Sequence, residues 1–124
     1  MMAPKRLLVW LLPLLLAACA TTQPKYDWGG YEDALHGYYK DATKQPRLAA
    51  ELATAIAASE ASARPVAPGL YAEYGYLLMQ SGRKQEAAVL FRKEKQRWPE
   101  SSALMDVMLR SVEPAALVAE PRKE

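Results

Sequence analysis

Two side chains in this sequence could carry unusual chemistry, and each is the only one of its kind. Cys19 is the single cysteine, and it stands behind Leu16-Ala17-Ala18 at the end of an apolar run. A thiolate is the strongest nucleophile in the side-chain inventory, and small residues before it suit a peptidase pocket. One cysteine also excludes an intramolecular disulfide framework. His36 is the single histidine, so a multi-histidine metal site is impossible. It has no local partner pattern and reads as a surface or packing residue. No zinc-ligand spacing and no Gly-rich phosphate loop occur, and the carboxylates are scattered. The expectation is no catalytic residue, no metal, no cofactor and no enzymatic activity.

The segment that presents Cys19 reads as an address. Lys5 and Arg6 give a basic start, and Leu7 to Ala18 is apolar apart from Pro13. As a helix, that run spans roughly 18 Å against a hydrocarbon core of ~30 Å, so a signal-peptide core fits better than a stable membrane span. The site resembles a bacterial lipobox: Leu at the third place before Cys, two Ala, then Cys19. The alternative is an ordinary secretory signal that happens to contain a cysteine. The resemblance implies that residues 1–18 are a cleaved lipoprotein signal peptide and that Cys19 becomes an acylated first residue. At ~0.8 kcal/mol per buried CH₂, two or three acyl chains would anchor the protein durably to a membrane. Ala20, rather than Asp, follows Cys19, which in a Gram-negative cell resembles sorting to the periplasmic face of the outer membrane. Residues 19–25 are then the lipidated cysteine and a short tether. The six residues from Ala20 to Lys25 reach ~20 Å at most, so any partner should lie at or near the same membrane.

Processing alters the charge reading. The 124-residue chain carries 16 basic and 14 acidic residues, a formal +2. Without residues 1–18 it has 106 residues and loses Lys5 and Arg6, leaving 14 basic against 14 acidic. Bulk charge therefore offers no case for nucleic acid.

The elements that must position everything else read as helices, in one all-α domain over residues 26–112. Ala dominates and β-branched residues are few. The pattern predicts about five helices: Tyr31 to Thr43, Arg47 to Ser62, Leu70 to Gln80, Lys84 to Trp98, and Ser101 to Val112. The first is expected to close before Pro46. The second carries Leu48, Leu52, Ile56 and Ser59 on one face, with Ala55 beside them. Gly82 reads as a left-handed cap after the third, and Ser101 as an N-cap of the fifth. Residues 113–124 hold two prolines and mixed charge and read as a disordered tail.

A half-repeat appears at an offset of 53: Gly29, Ala34, Tyr38 and Pro46 align with Gly82, Ala87, Phe91 and Pro99. The second copy extends back through Tyr71, Gly75 and Leu78, and together these look like one tetratricopeptide repeat. Gly75 and Ala87 are then the small positions where paired helices cross. The alternative is a generic antiparallel helical hairpin. The offset exceeds the ~34 residues of that repeat, so the second helix and its Pro loop read as an insertion. The second and fifth helices read as caps over open faces. Leu104, Met105, Met108, Leu109 and Val112 form a stripe on the fifth helix that should pack on the fourth. The basic run Lys84, Arg92, Lys93, Lys95 and Arg97 reads as a solvated face.

Aromatic residues crowd two places, around Tyr26, Trp28, Tyr31, Tyr38 and Tyr39 and around Tyr71, Tyr74, Tyr76 and Trp98. Residues two apart on a helix cannot share a face, so some of these rings must point outward. Trp28, Tyr31, Tyr39, Tyr71, Tyr74, Tyr76 and Trp98 are the candidates for partner binding, because exposed Tyr and Trp favour interfaces. The alternative is that most of them fill the core.

Tyr26-Asp27-Trp28-Gly29-Gly30-Tyr31, Tyr71-Ala72-Glu73-Tyr74-Gly75-Tyr76 and Trp98-Pro99-Glu100-Ser101 together resemble a family of small bacterial lipoproteins catalogued as domain of unknown function 4810. The resemblance covers nearly all of the chain after Cys19. Members are often encoded beside a lipoprotein similar to the curli-secretion channel, which implies a cell-envelope assembly and supplies no activity, ligand or binding residue. The expected function is a lipid-anchored adaptor that binds another envelope protein, expected to be a lipoprotein, through its aromatic surface. The alternative is a binder of a small ligand or envelope polymer in a helical groove.

Overall fold

The structure, a computed structural model, describes residues 24–113. Cys19, the signal segment and residues 114–124 of the tail lie outside that range. Five α-helices follow one another: α1 Tyr31–Lys40, α2 Gln45–Ala61, α3 Leu70–Gln80, α4 Lys84–Arg97 and α5 Ser102–Val112. Short 3₁₀ turns occupy Ala42–Lys44 and Pro99–Ser101. No strand occurs among the described residues, so the domain is all-α.

Local chemistry sets most of the helix ends. Asp27 Oδ1 accepts the Gly29 N–H at 3.1 Å, and Gly29 takes φ +49° to turn the chain into α1. Glu32 and Asp33 occupy the first turn of α1 and Lys40 the last, matching the helix dipole. The helix stops at Lys40, three residues short of the expected Thr43. Asp41 is extended there, and its Oδ1 accepts both the N–H and the hydroxyl of Thr43, at 3.0 and 2.7 Å. An Asp that can bond the backbone ahead of it favours a new start over a continued helix. Pro46 consequently does not terminate α1. It sits in the first turn of α2, where a missing N–H costs nothing.

Both long helices before a loop end in the same way. After α3, Gly82 at φ +78° donates to Met79 O at 3.0 Å and Arg83 donates to Leu78 O at 2.9 Å, a Schellman closure. After α2, Ala63 donates to Glu60 O at 3.4 Å and Arg64 to Ser59 O at 3.0 Å, but here the left-handed position is an alanine at φ +56°. A Cβ at that φ costs ~1–2 kcal/mol, partly offset by the lower unfolded-state entropy of alanine. Ala63→Gly should therefore raise stability by about 0.5–1 kcal/mol. A lower urea midpoint for the variant would show that Ala63 is not strained. Ser101 precedes α5 without capping it through its side chain. Its hydroxyl turns to Glu94 Oε1 at 3.4 Å instead.

Packing runs from neighbour to neighbour: α1 on α2, α2 on α3, α3 on α4 and α4 on α5, with the α3–α4 seam the most extensive. Tyr31 and Leu70, which open α1 and α3, are 39 residues apart, and so are Gln45 and Lys84, which open α2 and α4. The fold is thus two successive hairpins, α1–α2 and α3–α4, closed by α5. This corrects two expectations. The 53-residue alignment matches the first arm of one hairpin with the second arm of the other. The second helix is neither an insertion nor a cap, because it lies between α1 and α3. Leu48 and Leu52 on α2 correspond at the 39-residue offset to Ala87 and Phe91 on α4, and all four are fully buried.

The hairpins are held by a core of Leu48, Leu52, Leu70, Phe91 and Met105, with Val66 and Ala67 of the Pro loop tucked beneath. α3 and α4 cross where no side chain fits. A Cβ on Gly75 would come within 2.7 Å of Phe91 Cε1 and 3.3 Å of the Ala87 carbonyl oxygen. On α5, Met105 and Leu109 are buried and Met108 and Val112 partly so, whereas Leu104 faces out. Three members of the basic run on α4 pair with carboxylates elsewhere in the chain: Lys93 with Glu60 at 2.8 Å, Lys95 with Asp106 at 2.7 Å, and Arg92 with Glu113. The two exposed pairs, Lys93–Glu60 and Lys95–Asp106, contribute ~0–1 kcal/mol each.

Candidate functional site

Tertiary packing separates the seven candidate aromatics: Tyr71 is buried, Trp28, Tyr31 and Trp98 cluster, Tyr74 lines a groove, and Tyr39 and Tyr76 stand apart. Tyr71 is core, with 7% exposure. Its hydroxyl donates to Glu60 Oε1 at 2.7 Å, the same oxygen that receives Lys93 Nζ, and Lys93 lies 5.4 Å over the ring. Burial, then the bond to Glu60, pushes the Tyr71 hydroxyl well above its ordinary pKa. Tyr71 staples α2, α3 and α4 together and does not belong to a docking surface.

A second group gathers where the chain enters the domain. Trp28 stacks on Tyr31 with centroids 5.8 Å apart, and Tyr26 meets Trp28 and Trp98 edge-on at 6.1 and 6.2 Å. The Tyr31 hydroxyl donates to Glu73 Oε2 at 2.6 Å, fastening α1 to α3. Burial and this carboxylate raise the Tyr31 hydroxyl far above its ordinary pKa. Lys25 Nζ lies 5.2 Å over Tyr26 and Arg97 Cζ 5.9 Å over Trp98. Trp28 keeps 37% of its surface exposed. Trp98 is half-buried, and its Nε1 is buried with no acceptor among the described residues.

Tyr74 lies on a groove. Tyr74 and Leu78 on α3 line two adjoining cavities. One, of about 330 Å³, is walled by Pro46, Ala49 and Ala53 of α2. The other, of about 210 Å³, is walled by Glu86, Val89 and Leu90 of α4. The alanines of α2 make room beside the Tyr74 ring. Tyr76, two residues on, points away from that groove and is 43% exposed. Tyr39, near the end of α1, is 80% exposed and touches only Tyr38 among the aromatic rings, at 6.2 Å. His36 is exposed on α1. Among the described residues no group of three or more His, Cys, Asp or Glu side chains could hold a metal ion. No helix among them is long and apolar enough to cross a membrane.

A family model described as Domain of unknown function (DUF4810) matches residues 25–108. The chain belongs to this family. Within this DUF4810 chain the matched stretch starts at Lys25, beside the first aromatic group, and takes in both hairpins and most of α5. No curated protein and no solved structure matches it.

One buried group of the DUF4810 domain was hidden in a charged helix. Glu94 on α4 is 1% exposed. Its Oε1 accepts the Gly69 N–H at 2.8 Å, at the start of α3, where Gly69 has no side chain to cap the helix itself. Oε2 is buried with no partner among the described residues. Burial raises the Glu94 carboxyl above its ordinary 4.5, and nearby Glu100 adds to this; the N–H groups of Gly69 and Ala72 and the Ser101 hydroxyl oppose it. With the folded value above the unfolded one, the group's contribution is full below pH 4.5 and is lost as pH rises through the folded value. Glu60 runs the other way: Lys93, then Tyr71, holds its carboxyl below 4.5, so its contribution disappears as pH falls. Glu94→Gln should therefore flatten the decline in stability above pH 4.5 and leave the loss at acid pH. Urea midpoints measured from pH 4 to pH 7 test this, and an unaltered slope above 4.5 would assign the decline elsewhere.

The sequence pointed to Trp28, Tyr31, Tyr74 and Trp98 by type alone. It missed Glu73, the anchor of Tyr31, because the pair is separated by 42 residues and no local spacing marks it.

Proposed function

We propose that this chain is a lipid-anchored helical adaptor, held by acylated Cys19 at the periplasmic face of an outer membrane, that docks another cell-envelope protein. The observation that carries the docking half is the groove around Tyr74. Its two adjoining cavities, about 330 and 210 Å³, flank one half-buried aromatic ring and are lined mainly by small and apolar side chains. A groove of that shape accepts the side chains of a helix or an extended peptide, and a rigid Tyr at its centre supplies contact area at low entropic cost. The successive hairpins and the Gly75–Ala87–Phe91 crossing support reading the fold as tetratricopeptide-like, a fold whose inner faces carry such grooves. The lipobox-like residues and the short tether favour a partner on the same membrane, and the family resemblance suggests a curli-secretion-type lipoprotein.

A photo-crosslinking residue in place of Tyr74, read in intact envelopes, tests the proposal. The expected result is one discrete adduct with an envelope protein, absent when the same residue replaces Glu32 on exposed α1. Recovery of uncrosslinked monomer alone would overturn it. A second reading, a small ligand or envelope polymer in the same groove, rests on the cavities too. It predicts a rise in melting temperature with isolated envelope glycan or lipid and no protein adduct.

A further inference from the structure

The aromatic group where the chain enters the domain has a different chemistry from the Tyr74 groove, and we infer that it is a membrane-resting face: Trp28, Tyr26 and Trp98, with Lys25 and Arg97, lie against the bilayer interface. The inference rests on the proposed acylation of Cys19. Seven residues on from Cys19 is Tyr26, so the first ring of the group lies within roughly 25 Å of the acylated residue at full stretch. A domain of this size is itself about 30 Å across. So short a tether cannot carry the chain round to the far side, and it keeps the face at which it enters nearest the headgroups.

The residues at that face are the ones an interface selects. Trp and Tyr concentrate at the headgroup level of membranes because their rings are amphipathic. Here Tyr26 meets both Trp28 and Trp98 edge-on, and Trp28 stacks on Tyr31, which makes a rigid platform that loses little entropy on docking. Lys25 and Arg97 lie 5.2 and 5.9 Å over rings of the same cluster, placing two cations beside the aromatic surface. Nearby carboxylates are partly engaged: Asp27 accepts the Gly29 N–H and Glu73 accepts the Tyr31 hydroxyl. Glu100, next to Pro99, and Glu32, in the first turn of α1, are exposed, and the Glu51 carboxylate lies against Gly30; these are the groups that a negative surface would hold off. A weak intrinsic affinity suffices, because a short flexible linker sets an effective concentration in the millimolar range. This leaves the Tyr74 groove free for a protein partner. An adaptor that rests on one face presents its groove at a fixed height above the membrane.

The chain contains three tryptophans, Trp10, Trp28 and Trp98, and only the last two follow Cys19. Trp98→Phe keeps a ring beside Tyr26 and leaves Trp28 as the single indole of the processed chain. The test is fluorescence of this variant, purified with its acyl chains from the full-length precursor. It is placed at low density in vesicles of phosphatidylethanolamine and phosphatidylglycerol whose upper acyl carbons carry bromine. The expected result is co-flotation with the vesicles and loss of about half the Trp28 emission relative to unbrominated vesicles. Co-flotation with unchanged emission would overturn the membrane-resting face while leaving the anchor intact. No flotation and no acyl group on Cys19 would overturn both, at the anchor. The converse variant, Trp28→Phe, reports on Trp98 in the same way, and matching circular dichroism shows that both variants are folded.

Discussion

Ala87→Glu should destabilise the domain by several kcal/mol. Ala87 is fully buried on α4, and its carbonyl oxygen would lie 3.3 Å from a Cβ placed on Gly75. A glutamate there must either take a charge into the crossing or force α3 and α4 apart. Leaving an unpaired charge buried costs about 3–5 kcal/mol. The described domain of some 90 residues has a total stability of roughly 4–13 kcal/mol, so a loss of that size removes a large share of the margin. Val89, two residues along the same helix, is half-exposed, and Val89→Glu should change stability by no more than about 0.5 kcal/mol. Far-UV circular dichroism with urea denaturation separates the two. Equal midpoints for the Ala87 and Val89 variants would mean that the crossing lies elsewhere on α4.

Cys19→Ala should release the protein from the membrane without altering the fold. Each buried acyl CH₂ contributes ~0.8 kcal/mol, so losing all chains exceeds anything a two-cation aromatic face supplies. The fatty-acid probe should no longer label the protein, and fractionation should move it from the envelope to the soluble periplasm. The midpoint of the domain should stay that of the parent, because the buried core is built from residues between Ala34 and Leu109. Labelling that persists would place the acyl chain on another residue and remove the basis for both the anchor and the membrane-resting face.

These two variants act on features that differ in how they are written into the chain. The lipobox-like segment is contiguous, so its meaning is carried by neighbours in sequence. The same holds for helix ends. Gly82 stops α3 through its own φ of +78°, and α3 runs from Leu70 to Gln80 as its composition predicts. Where a local competitor intervenes, the boundary moves: Asp41 captures Thr43 and ends α1 early, which puts Pro46 at a start rather than a stop.

The side-chain roles were less legible, because burial is settled by what lies opposite. Tyr71 and Tyr76 are both tyrosines on α3, yet one is stapled into the core by Glu60 and the other faces out. Glu94 reads as one of two acids in a basic run, and only the arrival of Gly69 against it turns it into a buried cap. Tyr26 and Trp98 are 72 residues apart and meet because α4 ends beside the start of α1.

From its residues alone, then, the chain specified five helices, the stop after α3, the buried face of α2 and the small pair Gly75 and Ala87. Each depends on backbone preference or spacing within a few turns. Folding decided that the helices pair as hairpins 39 residues apart, and that Trp28, Tyr31 and Trp98 form one surface while Tyr74 lines another. The physical reason is that a helix's conformation and its apolar stripe are set by spacing within a few turns, whereas which segment packs against that stripe is set by contacts between distant segments, which no local pattern encodes.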